Sequence, residues 1–215
     1  MEKREHTPIS TDQLEKIKKW LGTGAINIFG PPYAGKDTHG HELAQLFNAP
    51  LLGGGDILRN MELPPEIKEI NEAGLLPPSD FYLQTVTPYL SKDEFAGQPL
   101  ILSSVGRWIG EEQGIIKAAE AAGHPIKAVL YLHLGNDLVH TRFEKSKELG
   151  DRGDRADDEA HKLETRLNEF NTKTLPVIDV YRHMDLLIEI DSDASSEEVL
   201  KSILARLFLF ASSTQ

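Results

Sequence analysis

A glycine-rich run, Gly30-Pro31-Pro32-Tyr33-Ala34-Gly35-Lys36-Asp37-Thr38, stands between the apolar stretch Ala25-Ile26-Asn27-Ile28-Phe29 and a helical pattern through Leu43, Leu46 and Phe47. A strand that feeds such a loop back into a helix aims successive backbone N–H groups, and the positive end of the helix dipole, at one anion. Gly30 and Gly35 supply the backbone freedom for the turn, and Lys36 adds a mobile ammonium able to span the β and γ phosphates of a nucleotide. The strict motif has Ser or Thr directly after the lysine. Here Asp37 takes that place and the hydroxyl follows at Thr38. The run reads as a phosphate cradle.

The rest of the chain is consistent with one compact domain. Its 215 residues, 40% of them hydrophobic, suffice for one sizeable core. No run approaches the roughly 18 to 20 apolar residues of a membrane span, and the charged start Met1-Glu2-Lys3-Arg4-Glu5-His6 lacks the apolar segment of a signal peptide. A cytoplasmic protein with no membrane partner is expected. With no cysteine, thiol catalysis and thiolate metal sites are excluded. A net charge of −11 argues against a nucleic-acid partner, since backbone binding needs a positive face. A small nucleotide needs only a local nest of arginines, whose forked guanidinium suits phosphate oxygens.

Residues 8 to 22 read as an amphipathic helix with Ser10 or Thr11 as N-cap. Beyond the cradle, short apolar segments at Ala49-Pro50-Leu51-Leu52, Pro99-Leu100-Ile101-Leu102, Ala128 to Leu132 and Leu186 to Ile190 alternate with helical stretches at 107–122, 136–149, 157–182 and 195–209. That alternation predicts an α/β fold, a parallel sheet of about five strands with helices on both faces, and the phosphate cradle after its first strand makes it P-loop NTPase-like. Residues 55–91, punctuated by Pro64-Pro65, Gly74 and Pro77-Pro78, read as a small helical insert. Residues 144–156 read as a charged loop able to close over a ligand. The pair His39 and His41 reads as solvated helix positions, and Trp20 and Trp108 as packing residues.

The order of these features resembles the adenylate kinase and related nucleoside monophosphate kinase family from about residue 24 to residue 208. The cradle is similar to the family's Gly-x-Pro-Gly-x-Gly-Lys-Gly-Thr, kept as Gly30, Pro32, Gly35, Lys36 and Thr38, with Tyr33 and Asp37 in place of two glycines. Gly55-Asp56-Ile57-Leu58-Arg59 resembles Thr-Gly-Asp-x-Leu-Arg, and Gly74-Leu75-Leu76-Pro77 with Ser79-Asp80 resembles the stretch lining the acceptor base. Leu102-Ser103-Ser104-Val105-Gly106-Arg107 stands where the family has Leu-Asp-Gly-Phe-Pro-Arg. Asp137 to Arg142 resembles the Asp-Glu-Leu-x-x-x-Arg helix, and Arg155-Ala156-Asp157-Asp158, Arg166-Leu167 and Pro176-Val177-Ile178 follow at family spacing.

The resemblance implies one kinase domain with a core of 24–54, 92–143 and 157–208, an acceptor insert at 55–91, a short lid at 144–156 and the N-terminal helix at 8–22. It implies transfer of the γ-phosphoryl of ATP to a nucleoside monophosphate, foremost AMP, by a monomer using Mg2+ and ATP. The donor ATP would be held by Gly30, Pro32, Tyr33, Ala34, Gly35, Lys36, Asp37, Thr38 and Arg142. The acceptor would be held by Gly54, Arg59, Leu75, Leu76, Arg107, Glu111, Arg155 and Arg166. Lys36, Arg107, Arg142, Arg155 and Arg166 would be catalytic, spreading the charge of the transferring group. Magnesium would be bound through phosphates and water, with Asp37, Asp56 and Ser103 around that shell and no direct protein ligand. Arg152, Lys145 and Lys147 are equal candidates for a further lid cation. Gly54 replaces a frequent family Thr, Glu111 stands where a Gln commonly reads adenine, and Ser103 replaces the Asp that orders magnesium-bound water. These departures keep two other readings open: a kinase for another monophosphate or a small metabolite, and a nucleotide sensor with weakened turnover.

Overall fold

The computed structural model describes residues 9–149 and 160–214. Arg152, Arg155, Asp157 and Asp158 lie outside the described residues, as does the part of the expected lid beyond Leu149; the part before it, residues 144–149, is not the expected loop but the end of the helix Asn136–Leu149, whose period continues through it. Strands β1 (Ala25–Phe29), β2 (Leu51–Gly53), β3 (Leu100–Ser103), β4 (Ile126–His133) and β5 (Leu187–Asp191) form one parallel sheet in the order β2-β3-β1-β4-β5. Parallel neighbours need crossover connections, and the crossovers lay helices on both faces. The helices are α1 (Thr11–Leu21), α2 (Lys36–Phe47), α3 (Gly54–Arg59), α4 (Pro65–Glu72), α5 (Ser79–Leu90), α6 (Glu111–Ala121), α7 (Asn136–Leu149), α8 (Ala160–Glu169), α9 (Leu175–His183) and α10 (Ser196–Ser213).

Strand β1 shows how the sheet divides the core. Successive side chains point to opposite faces. Ile26 and Ile28 therefore join Ile17, Leu43 and Leu207 from α1, α2 and α10, whereas Ala25 and Phe29 join Val86, Ile115 and Tyr181 from α5, α6 and α9. Phe29 is fully buried, which contributes about 1.5–3 kcal/mol. Truncation to alanine would cost about 3–5 kcal/mol, because the packed neighbours cannot collapse into the hole. None of the described helices is long and apolar enough to cross a membrane.

Several boundaries differ from the sequence pattern for local reasons. Ser10, not Thr11, caps α1, in a reciprocal capping box with Gln13. The second strand begins at Leu51 and ends at Gly53, because Asn48 takes a left-handed φ of 50° at the end of α2. The stretch from 107 becomes helical only at Glu111, since Gly110 sits at φ 96°. The long helix expected from 157 is interrupted by a π turn at Phe170–Thr174 just before Leu175-Pro176. Pro176 has no N–H and its ring crowds the preceding turn, so the ladder widens there.

The connections place the site. From β1 the chain crosses to β2 at one edge, and from β3 it passes back over β1 to β4. The carboxyl ends of β1 and β3 thus flank a crevice of the kind in which open α/β sheets bind ligands. Ser103, last in β3, pairs in register with Ile28 of β1 on one side and Gly53 of β2 on the other.

Candidate active site

A cavity of about 850 Å³ opens above those strand ends. Its floor at one end is the glycine loop. Gly35 is the N-cap of α2 at φ 89°, no side chain caps the helix, and Lys36, Asp37 and Thr38 of its first turn line the cavity, the place where a helix favours an anion. Gly30 is required by β4: a Cβ there would stand 2.7 Å from the Leu132 carbonyl oxygen. Lys36 Nζ donates to the carbonyls of Gly30 at 2.9 Å and Pro31 at 2.7 Å, which holds the ammonium over the loop.

Tyr33 occupies a left-handed conformation at φ 63°. For a non-glycine residue that costs about 1–2 kcal/mol. Its ring meets Phe143 of α7 edge-on at 5.6 Å, and its carbonyl accepts from Arg142 Nη1 at 3.2 Å. An edge-on aromatic pair contributes about 0.5–1.5 kcal/mol and a charge-assisted hydrogen bond about 1.5–3 kcal/mol, enough to offset the strain. Arg142 also donates to the carbonyls of Ser192 and Ala194 before α10, so α7, the glycine loop and the β5–α10 connection share one guanidinium.

Three further arginines line the same cavity. Arg59, at the end of α3, pairs with Asp56 at 2.6 Å, and both line the cavity. Arg166 of α8 lies against Gly74, where a Cβ would stand 3.1 Å from its Cγ. Arg107 follows β3. Burial lowers its affinity for a proton, the Arg166 and Arg59 charges act in the same direction, and Tyr82 and Glu111 oppose them. A guanidinium stays charged through such shifts. Its Nε is buried with no hydrogen-bond partner among the described residues. Three like charges around one half-buried space make a strong anion site.

Most of the expected site residues meet in this cavity. Gly30, Pro32, Tyr33, Gly35, Lys36, Asp37 and Thr38 line one part; Asp56, Arg59, Leu75, Leu76, Ser103, Arg107, Arg142 and Arg166 line the rest. Three others stand outside the lining. Ala34 is buried in the core against α2. Gly54 is buried, with the Tyr82 hydroxyl where its Cβ would be directed. Glu111 is buried, with Oε1 accepting from Ser79 Oγ at 2.8 Å and Oε2 from the backbone N–H groups of Arg107 and Trp108 at 2.8 and 3.1 Å. Burial raises its pKa, against the pull of those three hydrogen bonds and of Arg107. Gln113 is exposed on α6. Of the lid cations, Lys145 lines the cavity, while Lys147 lies 4.4 Å over the Phe143 ring.

A family model described as adenylate kinase matches residues 28–186. The chain belongs to the adenylate kinase family. It is similar to the adenylate kinase of Caulobacter sp., 31% identical over 189 residues that cover 86% of this chain and 98% of that protein. The adenylate kinase of Kocuria rhizophila is 29% identical over 186 residues, 84% of this chain and 96% of its own length. That of Methanosarcina barkeri is 28% identical over 214 residues, 86% of this chain and 99% of its own.

Within this adenylate kinase fold, the structure adds residues that sequence reasoning did not single out. Glu169 of α8 accepts from the Leu76 N–H at 2.9 Å and from Lys173 Nζ at 2.7 Å, while Lys173 lies 3.9 Å over the Trp108 ring. Thr174 donates to the Arg107 carbonyl at 3.3 Å. Glu169 and the π turn thereby hold both the Leu76 and the Arg107 segments. A Glu three residues after Arg166 was its only trace in the sequence. His39 corrects the expectation of a solvated pair: it is buried, with Nδ1 2.7 Å from Glu42 Oε2 and its ring beside Gly35, whereas His41 is exposed.

Proposed function

We propose that the protein transfers the γ-phosphoryl group of ATP to AMP, giving two ADP, and catalyses the reverse. The observation that carries this reading is that one cavity is lined both by the glycine loop and by Arg59, Arg107 and Arg166. Two polyanions can face each other there across a transferring phosphoryl group. An oxygen of the AMP phosphate attacks the γ phosphorus; the bond from that phosphorus to the β,γ-bridging oxygen breaks, and its electrons stay with the leaving ADP. Such a transfer asks the protein mainly for alignment and charge neutralisation.

In this reading the glycine loop, Lys36 and Thr38 hold the donor phosphates, and Arg142 sits at the donor side. Arg59 and Arg107 hold the acceptor phosphate. Arg166, with Arg155, spreads charge over the group in flight. Leu75 and Leu76 give the acceptor base an apolar wall. Glu111 acts at one remove by holding the Arg107 turn. Residues 55–91 form the acceptor insert and 144–156 the short lid, whose closure excludes water that would otherwise hydrolyse ATP. Lys145 is the preferred further lid cation, because it already lines the cavity. The protein acts as a cytoplasmic monomer on free nucleotides.

Magnesium fits this donor set. Among the described residues no group of three His, Cys, Asp or Glu is placed to hold a metal ion. Thr38, Asp37 and Ser103 bring hard oxygen donors to the cavity, of the kind Mg2+ takes directly or through water. Bound with ATP, the ion supplies charge neutralisation at the β and γ phosphates. Asp56 already pairs with Arg59 and belongs to the acceptor side.

A coupled assay of ATP against AMP, GMP, CMP and UMP tests the reading. AMP is expected to give the highest kcat/KM. No transfer to any of the four would overturn it.

A further inference from the structure

The backbone between β3 and α6 has no ladder of its own, and side chains hold it instead. Four consecutive N–H groups are each taken. Val105 donates to Asn27 Oδ1 at 3.3 Å, Gly106 to the Tyr82 hydroxyl at 3.2 Å, and Arg107 and Trp108 to Glu111. The turn is left-handed at Ser104, φ 53°, and at Gly106, φ 77°. Asn27 comes from the sheet and Glu111 from the helix that follows. Only Tyr82 reaches in from the acceptor insert.

Tyr82 is 2% exposed, and its oxygen occupies a second place as well. A Cβ on Gly54 would stand 2.3 Å from that oxygen and 2.9 Å from the Ser104 carbonyl oxygen. The phenol oxygen therefore lies between Gly54, where α3 begins toward Arg59, and Gly106, which precedes Arg107. The absence of a side chain at position 54 and the presence of the phenol are two halves of one arrangement. Burial pushes the Tyr82 pKa up to about 12, against the influence of Arg107 and the Gly106 hydrogen bond, so the group stays a neutral hydroxyl.

We propose that Tyr82 is a positioning residue for the acceptor phosphate: its hydroxyl sets the Gly106–Arg107 turn against Gly54 and so directs the Arg107 guanidinium into the cavity. This rests on the reading of the arginine side as the acceptor site. Tyr82 does not line the cavity and acts only through the turn.

Tyr82→Phe removes the oxygen and keeps the ring. It is expected to raise the KM for AMP five- to tenfold, with the KM for ATP and kcat at saturating AMP within twofold of wild type. In an Arg107→Lys background the same change should alter the AMP KM less than twofold, because an ammonium is a point charge with little directional demand. Gly54→Ala presses on the turn from the other side and should give the same AMP-selective rise, which keeps the test decisive if Tyr82→Phe folds poorly. An unchanged AMP KM in folded Tyr82→Phe, an equal rise for AMP and ATP, or the full effect persisting with Arg107→Lys would overturn the inference. An active wild type with an indifferent Tyr82→Phe defeats this inference alone. A wild type that transfers to no monophosphate defeats the acceptor reading and this inference together.

Discussion

The guanidinium of Arg142 donates to the carbonyl of Tyr33 at 3.2 Å, tying helix α7 to the middle of the phosphate loop. Tyr33 stands where the family pattern has glycine, yet it keeps the left-handed φ of 63° that the loop needs. Its ring and its carbonyl both bind α7, so a tyrosine at this position keeps the cradle's shape and anchors it to that helix. A motion of α7 would be felt directly at the glycine loop.

Lys36→Ala should lower kcat by about 10²- to 10³-fold, the range for deleting one preorganised electrostatic donor. The melting temperature should fall by no more than a few degrees, since Lys36 is a loop-facing residue outside both cores. Steady-state kinetics with a thermal melt decide it, and a folded variant with wild-type kcat would show that the ammonium does not serve transfer.

Arg59→Ala and Arg107→Ala should each raise the KM for AMP by about tenfold or more while changing the KM for ATP less than about threefold. Lost ground-state contacts appear in KM, and these two arginines are the ones assigned to the acceptor phosphate. Equal changes in both KM values would remove the division of the cavity into donor and acceptor ends.

Ser103 is buried in β3 between Ile28 and Gly53 and lines the cavity. A carboxylate there would accept from metal-bound water more strongly than a hydroxyl does. Ser103→Asp should lower the magnesium concentration for half-maximal rate by about two- to fivefold, read from a magnesium titration at fixed ATP and AMP. A midpoint identical to wild type would mean that Asp37 already fills that role.

Glu111 has its pKa raised above the usual value by burial. The protonated form is therefore favoured by folding. Its stabilisation is full below the unfolded-state pKa and is lost as pH rises through the raised folded value. Glu111→Gln removes this titration, keeps an oxygen for the Arg107 and Trp108 N–H groups, and offers an amide N–H to Ser79. The advantage of the variant in melting temperature should grow as pH rises from about 4 to about 7, reaching a few degrees. Parallel melting profiles across that range would count against a buried, ionised Glu111.

What the sequence determined by itself was local or periodic. Gly30, Gly35 and Lys36 fall within one short span whose backbone requirements can be read residue by residue, and the alternation of apolar strands with helical stretches dictates a parallel sheet covered on both faces. Arg59, Arg107, Arg142 and Arg166 were picked out by the resemblance to the kinase family, and the fold brings all four to one cavity. Tertiary structure alone decided how the irregular backbone between the elements is satisfied. Gly106 finds Tyr82, Val105 finds Asn27, and Leu76 finds Glu169, a partner 93 residues away. Glu111, expected to face a base, is drawn to the nearest orphaned N–H groups instead. A buried N–H must have an acceptor, but which side chain supplies it depends on what the topology brings within about 3 Å, and no local pattern along the chain encodes that distance.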